Sequence, residues 1–81
     1  MMELSEEEFL KIIKARINKA AVVGDPKTYQ LHKDMYELYK DYKSKGYICK
    51  FYLDGDALYL YGYTPEEYEV IVKKYRESGI W

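Results

Sequence analysis

The sequence is short of the residues that most often carry chemistry. It has one cysteine, Cys49, and one histidine, His32. A single cysteine excludes an intramolecular disulfide and a cysteine-based zinc cluster, which makes a reducing interior the simplest compartment. His32 has no histidine or carboxylate partner at ligand spacing, so it reads as a surface or boundary residue and no metal site is expected. The five glycines and two prolines form no phosphate-cradling loop and no G-x-S-x-G element. No catalytic residue and no cofactor is expected, and the chain does not read as an enzyme. Charge of one sign is also missing: 13 basic side chains against 14 acidic ones leave a net charge of −1. That balance removes the electrostatic argument for a duplex-DNA binder, and equally for an acidic DNA mimic. No apolar run approaches the ~20 residues of a membrane span. The stretch Met1 to Glu8 is acidic and lacks the basic-then-apolar layout of a signal peptide. The expected location is the cytoplasm.

What is present is a chain of 81 residues, 48% apolar and 33% charged, which suits a folded domain and not a disordered one. No linker divides it, so residues 1–81 are expected to form a single domain. A chain of this size buries only about 60–65% of its unfolded surface, so the core is thin.

Three helices are signalled. Ser5 is an N-cap and Glu8, three residues on, completes a capping box, with Leu4 and Phe9 at the staple positions. Glu6, Glu7 and Glu8 complement the positive end of the helix dipole. Phe9, Ile13, Ile17 and Ala20 follow at helical spacing, widened by Leu10, Ile12 and Ala21, and Gly24 ends the run. Lys11, Lys14 and Lys19 fall on its solvated side. Asp25-Pro26 opens a second helix as cap and first residue. Leu31, Met35, Leu38 and Tyr42 form its expected apolar seam, flanked by Tyr39, with Tyr29 and Tyr36 off the seam. Gly46 suits the left-handed position that stops it. Thr64-Pro65-Glu66-Glu67 starts a third helix with an apolar stripe of Tyr68, Ile71, Val72 and Tyr75. Ser78-Gly79 is expected to end it, with Ile80 and Trp81 folding back.

Between the second and third helices lies a hairpin. Asp54-Gly55 suits a two-residue type I′ turn. That turn sets Leu53 opposite Asp56, Phe51 opposite Leu58, Cys49 opposite Leu60 and Tyr47 opposite Gly62. One face then carries Cys49, Phe51, Leu58 and Leu60, with Cys49 as a small buried hydrophobe. The other carries Ile48, Lys50, Tyr52, Ala57, Tyr59 and Tyr61. The expected fold is α+β, in the order α-α-β-β-α, with the antiparallel hairpin packed on helices. Asp54 and Asp56 are explained by turn chemistry.

The chain holds 11 tyrosines, and those of the second hairpin face are the candidate site. Cross-strand pairing or a covering helix would explain them structurally. Exposed, they make an amphipathic contact surface, because tyrosine gives large area at low entropy cost and still hydrogen-bonds. The candidate partner-binding residues are Tyr52, Tyr59, Tyr61, Lys50, Ile48 and Tyr63. The same face could stack single-stranded nucleic acid, with Lys40, Lys43 and Lys45 upstream as extra cations. Self-association is a third reading, since a two-stranded sheet has two unpaired edges and is marginal alone.

The layout of two amphipathic helices, the break Ser44-Lys45-Gly46-Tyr47 leading into a hairpin, and a short tail ending at Trp81 resembles small accessory proteins of phages and mobile elements. The resemblance spans most of the chain. It implies a protein that binds and blocks another macromolecule, such as a host or defence enzyme. Residues and resemblance together point to a non-catalytic protein-binding module.

Overall fold

Each helix begins at the cap its residues announce. α1 runs Glu6–Val23. The Ser5 N–H donates to Glu8 Oε1 at 2.9 Å and the Glu8 N–H to Ser5 Oγ at 3.1 Å, which satisfies two orphan donors reciprocally. α2 runs Pro26–Ser44, with Asp25 accepting from the Thr28 N–H. α3 runs Pro65–Ser78 and opens on a second box, Thr64 with Glu67. The structure is a computed structural model that describes residues 1–78. The expected stop at Gly79 and the fold-back of Ile80 and Trp81 lie outside them.

The end of α2 aims the chain into the sheet. The Gly46 N–H donates to the Lys43 carbonyl and the Tyr47 N–H to that of Tyr42, the paired bonds of a Schellman stop. The Tyr42 and Tyr47 rings stack at 5.5 Å across it. Two strands follow, β2 (Ile48–Asp54) and β3 (Ala57–Tyr63). A third strand was not expected. Met2–Leu4 forms β1, antiparallel to β2 with Leu4 opposite Phe51, and the sheet order is β1-β2-β3. Three residues are too few to show alternation, and only pairing with distant β2 makes them a strand. The expected α+β order therefore stands with one short strand added in front.

The turn lies one residue later than expected. The loop is Gly55-Asp56, closed by Asp54 opposite Ala57. Gly55 has φ of 60°, and no described non-glycine residue has positive φ. A type I′ turn over Asp54-Gly55 would need Asp54 in the left-handed region. Glycine at the first central position followed by an ordinary residue is the type II′ pattern instead. The pairs are corrected accordingly: Leu53 faces Leu58, Phe51 faces Leu60, Cys49 faces Gly62, and Tyr47 precedes the strand. Both loops hold two residues, so the slip keeps the same side chains on the same face.

The core sits between one face of the sheet and α1 with α2. Phe9 and Ile13 are fully buried, closed in by Leu4, Tyr39, Phe51 and Leu58. The Phe9 ring stacks on Phe51 at 4.5 Å and meets Tyr39 at 5.6 Å. The α2 seam is rotated from the expected one. His32 and Tyr39 are buried, whereas Leu31 and Leu38 are 62% and 42% exposed. The hydroxyl of Tyr39 explains the choice: its ring joins the Phe9–Phe51 cluster while its O–H reaches Glu6 Oε1 at 2.8 Å. The buried ring thus keeps its polar end paired. His32 is tied to its own helix through Nδ1 and the Thr28 carbonyl at 2.9 Å. Tyr42, kept from the expected seam, lies against Gly62. A Cβ at Gly62 would stand 2.6 Å from its ring.

Candidate functional site

The strand period of two sends Ile48, Lys50 and Tyr52 of β2, and Tyr59, Tyr61 and Tyr63 of β3, to the face away from α1 and α2. Within that set Tyr52 faces Tyr59, Lys50 faces Tyr61 and Ile48 faces Tyr63. All six candidate residues therefore share one face, and Glu3 of β1 joins them opposite Tyr52. Tyr52 and Tyr61 meet edge to face at 5.7 Å, and Tyr59 and Tyr61 stack at 6.5 Å.

α3 divides the six. It leaves the sheet at Tyr63 and lays Tyr68, Ile71, Val72 and Tyr75 toward Glu3, Lys50, Tyr52 and Tyr63, around a cleft of about 150 Å³. Lys50 Nζ sits 5.4 Å from the centre of the Tyr68 ring, within cation–π range. Burial, with a smaller contribution from Glu3, pushes the Tyr52 hydroxyl pKa up. Ile48, Lys50, Tyr52 and Tyr63 are half-buried, and α3 lies over the last three of them. Tyr59 and Tyr61, 36% and 43% exposed, remain open on β3. Tyr75 of α3 is exposed beside the cleft, a placement that its position in an ordinary helical stripe did not signal.

The other chemistry-bearing residues do not converge. His32 is buried and lies toward the hairpin turn, in a depression shared with Arg16 and Asp56. Cys49 is half-buried and lines a different depression with Glu6 and Lys43. Burial pushes the Cys49 thiol pKa up, which favours the unreactive thiol. Among the described residues no group of three or more histidine, cysteine or acidic side chains could hold a metal ion. The three upstream lysines are engaged: Lys40 with Glu37, Lys43 with Glu6 at 2.9 Å, and Lys45 with Asp41. Hydrogen bonds from Lys43 and then Tyr39 hold the Glu6 carboxyl below the ordinary carboxylate range.

No described helix is long and apolar enough to cross a membrane. Compared with known protein families, curated proteins and solved structures, the chain matches none.

Proposed function

We propose that this protein is a non-catalytic protein-binding module whose contact surface is centred on Tyr59 and Tyr61, with Tyr75 at its margin. The observation that carries the reading is the division of the tyrosine face. Where α3 lies over the sheet, the rings have a packing role. Tyr59 and Tyr61 lie beyond it and stay open. Stacked tyrosines held on a strand are rigid, amphipathic and cheap to order, which is what a protein contact uses. The resemblance to phage and mobile-element accessory proteins supports a module that blocks a host or defence protein in the cytoplasm.

Single-stranded nucleic acid is the weaker reading. Lys50 is turned onto Tyr68, and Lys40, Lys43 and Lys45 each have an acidic neighbour. A base-stacking platform needs cations free to follow phosphates.

The test is capture from an extract of the source organism by the wild-type chain and by the Tyr59→Ala/Tyr61→Ala double variant. The expected result is a protein retained by the first and lost by the second, with unchanged circular dichroism. Equal capture by both would remove the site. Capture of oligonucleotides alone, weakening steeply with salt, would favour the nucleic-acid reading.

A further inference from the structure

The two edges of the sheet are unlike. β1 is three residues long and carries Glu3. β3 is seven residues long and reads Ala-Leu-Tyr-Leu-Tyr-Gly-Tyr, with no charge and no proline. Its pairing with β2 is unbroken from Ala57 to Tyr63, so no bulge turns it away. Lysine, proline and bulges are among the devices by which sheets blunt an exposed edge, and β3 itself carries none of these three.

Which backbone groups face outward follows from the turn. In a two-residue hairpin the flanking pair, Asp54 and Ala57, is hydrogen-bonded, and hydrogen-bonded and non-bonded pairs then alternate. Tyr59, Tyr61 and Tyr63 therefore bond inward to β2. Leu58, Leu60 and Gly62 turn their N–H and C=O groups outward. Among the described residues no hydrogen bond reaches these outward groups.

The flank of α2 beside this edge exposes two leucines, Leu31 and Leu38. Tyr29 and Tyr36 line the groove against α1. Leu31 and Leu38 lie on the opposite flank of the helix, the flank of Tyr42, which reaches under Gly62. At its start α2 places His32 near Asp56, so α2 and β3 run in the same direction. Two strand residues span about 6.8 Å, or four to five helical residues. Counting back from Gly62 over Tyr42 sets Leu38 abreast of Leu60.

We propose that the open edge of β3 pairs antiparallel with β3 of a second copy, about a twofold axis at Leu60, with the Leu31/Leu38 flanks of the two α2 helices meeting beneath. The edge is self-complementary in this register. Leu60 bonds Leu60 of the second copy, Leu58 bonds Gly62, and all three outward residues of each chain are satisfied. Tyr59 falls opposite Tyr61 of the second copy on the same face, in the closer non-bonded pairs, and the four rings form one row. The register also brings Leu38 to the axis, where the two exposed leucines cover each other. The result is a six-stranded sheet with the two short β1 strands at its ends. The proposal is independent of the capture reading, because it rests on the strand edge and the α2 flank.

The test uses the unmodified chain. The interface has fewer residues than the roughly 20–30 a side of standard complexes, so sedimentation should span about 5 to 500 µM. The expected result is a dimer in the upper part of that range. Amide exchange by NMR at Leu58, Leu60 and Gly62 should slow with rising concentration, while Tyr59 and Tyr61 amides stay protected throughout. Leu38→Asp, at an exposed position, should weaken dimerisation at least tenfold without loss of fold. A monomer across the range would overturn the proposal, as would a dimer in which those three amides exchange freely. Protection that appears only when another protein is added would assign the edge to that protein's strand and overturn it equally.

Discussion

The two faces of the sheet are built from neighbouring residues of the same strands, yet they are finished differently. Under one face, Phe51 and Leu58 close against Phe9, Ile13 and Tyr39, and two of those side chains lose all contact with water. Over the other, α3 covers Lys50, Tyr52 and Tyr63 around an open cleft, and Tyr59 and Tyr61 stay in solvent. The difference follows from the side chains. Phenylalanine and isoleucine gain only by burial, at about 25 cal/mol per Å². Tyrosine is stable half-covered because its hydroxyl keeps water or a partner. One face is thus committed to folding, and the other leaves aromatic area exposed.

The comparison is broken most severely from the first face. Phe9→Ala should cost about 3–5 kcal/mol, read as a lower denaturant midpoint, because it empties the centre of the ring cluster. Gly62→Ala should cost about 1–3 kcal/mol in the same assay, since the new methyl must displace the Tyr42 ring that now stands 2.6 Å from its position. Tyr59→Ala with Tyr61→Ala should cost about 0.5–2 kcal/mol, the worth of the cross-strand ring pairs alone.

The pH limbs sharpen the same contrast. Burial, reinforced by the bond to Glu6, pushes the Tyr39 pKa up to about 12. A raised folded pKa means stability that is whole below the ordinary tyrosine value and is lost as pH rises through about 10 to 12. Tyr39→Phe should flatten that alkaline loss, measured as melting temperature against pH. The carboxyls of Glu6, Glu8, Asp25 and Glu67 are depressed, each led by a bond to Lys43, Ser5, Thr28 or Thr64 respectively. Their stabilisation is present above the ordinary carboxylate range and is lost as pH falls through their lowered values. Glu6→Gln should make the acid limb shallower, the smallest of these effects, because its pairing with Lys43 is solvent-exposed.

The legible part of the fold was local. Ser5/Glu8, Asp25/Pro26 and Thr64/Glu67 each announced a helix within four residues, and the side-chain period of two sorted the hairpin faces even though the turn was misplaced by one residue. What could not be read depended on distant partners. β1 exists because β2 lies beside it. The α2 seam passes through Tyr39 instead of Leu38 because Glu6, 33 residues away, accepts its hydroxyl. Of the candidate site, the shared face of Ile48, Lys50, Tyr52, Tyr59 and Tyr61 was legible. Its division by α3 was not, because an apolar stripe such as Tyr68/Ile71/Val72 names a packing face and leaves open which surface it meets.

The most direct test of the contrast takes the Tyr59→Ala/Tyr61→Ala chain through denaturant unfolding and partner capture together. The account predicts a midpoint close to that of the wild type, far above that of Phe9→Ala, with capture lost. Unfolding as severe as that of Phe9→Ala, or undiminished capture by a folded double variant, would contradict it.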